Sequence, residues 1–281
     1  MSKIDYYKRR EENQAHAEKI VNWLNKNHRQ YIDFLISNMV LFQERKAINA
    51  VHKRFAKTEV LVKQCSTVDA IIEENSKEND HVVALNFASY KNPGGKFING
   101  SMAQEESLCH ASMLYPVLSS TRANDLFYGQ HKTRLNRALY HSDLLYVKDV
   151  PFWSNKQKSF ASIITCAAPN KKAAQKYCNV SDEECKKVMD NRIESVLAAA
   201  YEMNDETLIL GAFGTGVFGN DVEEVAELFN KAINGKFKNA FKKIIFAVID
   251  QESYTKMVNI ICTVNYLPPK GSGLLLNGSP D

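Results

Sequence analysis

Residues 81–108 read HVVALNFASYKNPGGKFINGSMAQEESL, and this stretch decides the fold. It opens on a continuous apolar run that is too short for a buried helix and lacks the alternation of a half-wet strand. Such a run predicts a strand covered on both faces, the kind that parallel sheets contain. Pro93, Gly94 and Gly95 then break it into a tight loop. From Gln104 the spacing turns helical and is expected to continue through Leu114, with Pro116 limiting its extension. Strand, glycine loop and helix form the repeating unit of α/β proteins, whose ligands sit at the carboxyl ends of strands.

The flanking sequence repeats this unit. On the N-terminal side, Ile20, Val21 and Leu24 share one face of a first helix, and Tyr31, Phe34, Leu35, Ile36, Met39 and Val40 predict a second, more deeply buried one. TEVLVKQC from Thr58 reads as a strand. STVDAIIEEN reads as a short helix capped by Ser66 or Thr67, with Glu73 and Glu74 on its wet side. On the C-terminal side, DLLYVKDVP, FASIITCAAPN and TLILGAF are strand candidates, and KKIIFAVID is expected to close the sheet. A long helix is expected over 181–201, with Asp182 and Glu183 in its first turn as the helix dipole favours. Further helices are expected from about 222 to 232 and around Tyr254 and Met257. The predicted fold is α/β: a three-layer α/β/α sandwich with a mixed sheet and a helical N-terminal extension. The extension is taken as 1–57, the catalytic domain as 58–266 and a disordered tail as 267–281.

The chain has 281 residues, 44% hydrophobic and 24% charged, which is ordinary for a globular protein able to bury a full core. A net charge of +4 carries no strong footprint for nucleic acid, and no sequence-specific nucleic-acid partner is expected. No apolar stretch has the length of a membrane span, and the first residues, MSKIDYYKRREENQ, lack the apolar core of a signal peptide. The six cysteines form no CxxC pair and no histidine joins them at metal spacing, so they read as free thiols in a reducing compartment. The expectation is a cytoplasmic protein, acting as a monomer, with no membrane partner.

A second glycine-rich stretch, GAFGTGVFGND, leaves the strand TLILGAF. Neither loop matches the phosphate loop GxxxxGK[ST] or the fingerprint GxGxxG. A bare Gly-Gly turn and two first-turn glutamates have ordinary structural readings when each is taken alone. Together they place two anion-friendly loops, each leading to a helix N-terminus, beside paired acids. That combination suits a ligand with a diphosphate at one point and a sugar bond to be protonated at another.

The sequence LNFASYKNPGGKFINGSMAQEESLCHASMLYP resembles the signature of the bacterial-type poly(ADP-ribose) glycohydrolases, a macrodomain-like family. That signature has three glycines, six to eight variable residues, then Gln-Glu-Glu. Here it reads Gly94, Gly95, Lys96, seven residues, then Gln104, Glu105 and Glu106. GAFGTGVFGN resembles the family's diphosphate loop, and DVPFWSN and CAAPN share its look. The resemblance spans roughly residues 82–250.

The resemblance implies a substrate of ADP-ribose linked through its terminal ribose, as poly(ADP-ribose) or on an ADP-ribosylated protein. It implies that one glutamate, Glu106, serves as acid for the leaving oxygen and base for water, with Glu105 holding ribose hydroxyls. Neighbouring helical residues point ~100° apart, so the two acids differ in role. A carboxylic acid free in water is ionised at neutral pH, so Glu106 is expected to keep its proton through burial near the bound diphosphate. Gly94, Gly95, Gly214 and Gly216 are expected to bring backbone close to phosphate. Asn86 and Asn92 are candidates for the terminal ribose, and Phe218 for covering a ribose or the diphosphate. Gln104, Thr215 and Val217 complete the candidate binding set. Lys96 replaces the third glycine, where a left-handed backbone would cost about 1–2 kcal/mol; it is read as a rim lysine that aids capture. No metal or cofactor is required. Removal of single ADP-ribose units from protein and binding without cleavage are the alternative functions.

Overall fold

The computed structural model describes residues 3–43, 51–75, 81–154 and 157–262. Among them seven strands form one mixed sheet, with helices against both faces. The chain begins with α1 (Lys3–Asn27) and α2 (Arg29–Ser37), followed by β1 (Val40–Phe42) and β2 (Glu59–Lys63). Next come α3 (Thr67–Asn75), β3 (Val82–Phe87), α4 (Gln104–His110) and α5 (Leu114–Leu118). Two single turns, α6 (Thr121–Ala123) and α7 (Gly129–His131), precede the long pair β4 (Leu144–Ser154) and β5 (Gln157–Cys166). The rest is α8 (Lys171–Cys178), α9 (Asp182–Glu202), β6 (Thr207–Leu210), α10 (Val222–Asn234), β7 (Lys243–Ala247) and α11 (Gln251–Ile261).

The strand order is β1-β4-β5-β3-β6-β7-β2. β3 lies near its middle and pairs parallel with β5 and β6, as its unbroken burial requires. Val83 and Leu85 face one core layer with α9, α10 and α11; Val82 and Ala84 face the other, with α1 to α5. A strand alternates its side chains between faces, so a strand buried on both sides has no polar positions to spare. Ser181, Asp221 and Asp250 cap α9, α10 and α11, each side chain accepting from a first-turn N–H.

Several expectations give way here. β7 does not close the sheet but lies inside it, between β6 and β2. The second helix ends at Ser37, and Val40 opens an edge strand antiparallel to β4, so the first 57 residues contribute to the sheet. Phe34, expected in the core, is 56% exposed. Glu74 is buried rather than wet, because its carboxylate bridges Lys63 at 3.3 Å and Lys243 at 2.9 Å. The helix from Gln104 stops at His110, where the Ser112 hydroxyl turns back to the Leu108 carbonyl. Pro116 lies in the first turn of the next helix, where a missing N–H leaves no bond unmade. The tail 267–281 lies outside the described residues.

Parallel strands β3, β5 and β6 all release their chains at the same end of the sheet. α9 fixes that end from behind. Its Arg192 is fully buried, and the guanidinium donates to the carbonyls of Leu139 and Ala167 and to the Ser142 hydroxyl. No described helix is long and apolar enough to cross a membrane.

Candidate active site

The loop after β3 is shaped by two successive left-handed glycines, Gly94 (φ 64°) and Gly95 (φ 61°). Phe97, with no exposure, anchors the loop between the rings of His110 and Tyr115. Helix α1 clamps its far side: Arg10 Nε donates to the Asn99 carbonyl at 2.8 Å and Asn13 to the Gly100 carbonyl at 3.2 Å. The N-terminal helix therefore holds the catalytic loop.

α4 then delivers the acids in its first turn, both nearly buried. Glu105 Oε2 accepts the Ser89 N–H at 2.7 Å, and Oε1 accepts from Asn86 Nδ2 at 3.3 Å. Glu106 Oε1 accepts the Lys96 N–H at 2.9 Å, while its buried Oε2 has no partner among the described residues. Burial pushes the Glu105 carboxyl up from 4.5 to about 8, against the hydrogen bonds from Ser89 and Asn86.

The reason for Gly95 differs from the one expected. A Cβ there would lie 2.5 Å from Oε1 of Glu106 and 3.0 Å from Oε2 of Glu105, so the glycine makes room for the carboxylates. Gly94 is buried and does not reach the cavity; its Cβ would meet Tyr115 at 2.6 Å and Cys109 at 3.1 Å. Lys96 carries no left-handed strain, with φ −111° and ψ 30°, and its exposed side chain stands at the rim.

A cavity of about 520 Å³ lies between the two glycine loops. Asn92, Gly95, Lys96, Gln104, Glu105 and Glu106 line one side; Gly214, Gly216, Val217 and Phe218 line the other. Asn86 and Thr165, by contrast, sit behind Glu105; they are fully buried and share a hydrogen bond at 3.3 Å. Asn86 therefore orients an acid and does not line the ligand space. Gln104 has both ends of its amide committed, accepting the Phe87 N–H and donating to the Leu85 carbonyl, each at 2.8 Å. It takes the place of a neighbouring strand where the pairing of β3 with β6 has stopped at Ala84.

In the second loop Thr215 turns its hydroxyl onto the Ala212 carbonyl at 3.0 Å and is not a lining residue. Gly214 (φ 74°) is a packing glycine, its Cβ position being 2.3 Å from Ala168 Cβ. Gly216 alone of the four candidate glycines faces open space, with nothing within 4 Å of an added Cβ. Val217 is 88% exposed, and Phe218 meets the Tyr140 ring edge-on at 5.9 Å. The sequence reading missed the apolar walls Phe87, Phe213 and Ala168, because an apolar residue beside a cavity has the same sequence signal as any core residue. It also missed Ser89, which acts through its backbone N–H and so leaves no side-chain signature. Among the described residues no cluster of three or more His, Cys, Asp or Glu could hold a metal ion.

Two predictions arise from this geometry. Gly216→Val puts a side chain into the cavity mouth with nothing among the described residues within 4 Å of its Cβ, so affinity for the expected ligand, ADP-ribose, in a calorimetric titration should fall about tenfold or more while circular dichroism stays unchanged. Unchanged affinity would remove this loop from the binding site. The second concerns pH. Folding raises the affinity of Glu105 for its proton, so its contribution to stability is complete below 4.5 and is lost as pH rises through about 8. Glu105→Gln abolishes this dependence and keeps an acceptor for the Ser89 N–H. Its Tm should fall less than that of the parent between about pH 5 and 9, by a few degrees. Parallel curves of Tm against pH would contradict the raised carboxyl. Asp205, also raised by burial, to about 7, is present in both proteins and cancels.

Residues 2–155 match the family described as microbial-type PARG, catalytic domain. The chain is similar to the crystal structure of poly(ADP-ribose) glycohydrolase from Thermomonospora curvata, with 29% identity, a TM-score of 0.81, and coverage of 89% of this chain and 99% of that one. That enzyme's structure bound to the inhibitor ADP-HPD matches with a TM-score of 0.80 over the same shares of the two chains. Poly(ADP-ribose) glycohydrolase from Deinococcus radiodurans in complex with ADP-ribose matches with 30% identity and a TM-score of 0.73, over 83% of this chain and 98% of that one. No curated protein sequence matches.

Proposed function

The chain belongs to the microbial-type PARG catalytic-domain family, and from this premise we propose that it hydrolyses the ribose-linked glycosidic bond of poly(ADP-ribose), releasing ADP-ribose from chain ends. The observation that carries the proposal is the state of Glu106. One carboxylate oxygen is held by the Lys96 N–H, and the other is buried at the cavity without a partner among the described residues. A buried polar atom left unpaired is destabilising, and it is tolerated where a ligand supplies the missing partner.

In this reading ADP-ribose lies between the loops, its diphosphate near the open backbone at Gly216 and its terminal ribose at the acids. Asn92 and Glu105 hold ribose hydroxyls. Glu106 gives a proton to the departing oxygen as the bond at the ribose carbon lengthens and positive charge develops on the sugar. The carboxylate it becomes then takes a proton from the attacking water. Glu105 is held in place beside the reacting ribose by the Ser89 N–H and Asn86 Nδ2. A cavity of about 520 Å³ suits one nucleotide-sized unit, which supports release of single units. The six free thiols support work in the reducing cytoplasm.

The test is incubation with poly(ADP-ribose) and, separately, with mono-ADP-ribosylated protein, followed by detection of free ADP-ribose. Release from the polymer is the expected result. Release from the modified protein alone would replace the substrate, and tight ADP-ribose binding with no release from either would make the chain a reader.

A further inference from the structure

A second cavity, of about 430 Å³, opens on the other side of the Asn92–Pro93 segment. Its chemistry differs from that of the first. Lys91, Ser119, Thr121, Asn124 and Lys132 line it, with Tyr115 as its aromatic wall, and no carboxylate is among its lining residues. Lys91 is half-buried and Lys132 exposed, and neither makes an ion pair among the described residues. The hydroxyls of Ser119 and Thr121 also have no hydrogen-bond partner there, whereas Ser120 is committed to capping the turn at Ala123. A concave site with two unpaired ammonium groups and free hydroxyls fits an anion carrying sugar hydroxyls.

Asn92 lines both cavities, and on the active-site side it stands with Glu106. Two cavities that share Asn92 as a wall, one of them lined by Glu106, suit a ligand that passes across that wall. When the bond at the terminal ribose is protonated, the departing oxygen belongs to the next unit of the polymer, which carries its own riboses and diphosphate. We propose that the second cavity is the subsite for this leaving ADP-ribose unit, with Lys91 and Lys132 on its diphosphate and Ser119, Thr121 and Asn124 on its ribose hydroxyls. The proposal rests on the function inferred above and adds the part of the substrate that one cavity cannot hold. It implies that the enzyme favours polymer over a single ADP-ribose on a small leaving group, because only the polymer occupies both sites.

The experiment compares the parent with the double variant Lys91→Ala/Lys132→Ala on two substrates across a salt series. One is poly(ADP-ribose); the other is an aryl glycoside of ADP-ribose, whose leaving group carries no phosphate. KM for the polymer should rise about tenfold at low salt with kcat little changed, and the difference should shrink at high salt as screening replaces the lost charges. KM and kcat for the aryl glycoside, and the affinity for free ADP-ribose, should stay as in the parent. An unchanged polymer KM in a variant whose parent cleaves polymer would overturn the subsite alone. Equal impairment on both substrates would also overturn it, by assigning the lysines to the first cavity or to the fold. A parent that cleaves the aryl glycoside and not the polymer would overturn both the subsite and the polymer reading of the function.

Discussion

Glu106→Gln should lower turnover on poly(ADP-ribose) by ~10²- to 10⁴-fold, the usual contribution of a positioned general acid–base group. The substitution is nearly isosteric. Its carbonyl oxygen can keep the Lys96 N–H at the place of Oε1, and its amide nitrogen replaces the Oε2 that has no partner among the described residues. Loop and fold are therefore retained, and only the ability to give and retrieve a proton is lost. Affinity for ADP-ribose should change little, since the diphosphate contacts assigned to the Gly216 loop are untouched. The measurement is free ADP-ribose released per unit time at saturating polymer, with a calorimetric titration of ADP-ribose alongside. Turnover above about a tenth of the parent's would remove Glu106 from the acid role, and the same variant of Glu105 would then be the next to test.

How much of this was legible beforehand depends on what kind of information each residue carries. β3 announced itself because a strand buried on both faces leaves no position for a polar side chain, and residues 82–85 obey that rule without exception. The helices α9, α10 and α11 were also expected near their observed places, although their caps, local hydrogen bonds between residues three apart, were not read. Misreadings cluster where a residue's partner is distant in sequence. Glu74 looks wet until Lys63 and Lys243 arrive from two other strands. Gln104 looks like a ligand contact until its amide is seen spanning two backbone groups of β3. Asn86 and Thr165 face each other only because β3 and β5 are in parallel register. Glu105 and Glu106 were expected in one site and both line the cavity, but neither spacing nor motif says that burial raises the Glu105 carboxyl. Desolvation decides that, and it is a property of the packed molecule.

Lys96 illustrates the same limit from the other side. Its departure from the three-glycine pattern suggested strain, yet its backbone is in an ordinary region, and the three left-handed positions of the loop, Gly94, Gly95 and Gly100, are all glycine. What the loop needs from residue 96 is an N–H aimed at Glu106, which any residue except proline supplies. The replacement is therefore compatible with the catalytic arrangement, and the lysine side chain is left free at the rim.

The demand on Gly95 is far stricter, and Gly95→Ala should strike the two acids directly. An alanine at φ 61° costs about 1–2 kcal/mol by itself. Its methyl would lie 2.5 Å from Glu106 Oε1, closer than real contacts allow, and 3.0 Å from Glu105 Oε2, a tight approach. Neither carboxylate can step aside freely. Glu105 is tied to Ser89 and Asn86, and Glu106 to the N–H of the very next residue, Lys96. If the loop moves instead, that N–H is carried away from Glu106. Either response displaces an acid by a sizeable part of an ångström, and a shift of about 1 Å at a reacting group can lower the rate ~10²-fold. Turnover should fall by that order while the protein stays folded, with Tm lower by a few degrees. The split between constants separates the two reasons for a glycine here. If Gly95 exists to let backbone approach phosphate, KM and ADP-ribose affinity should carry the loss and kcat should survive. If it exists to admit two carboxylates, kcat should collapse even at saturating polymer. The contact distances favour the second outcome, and a normal kcat in Gly95→Ala would refute it.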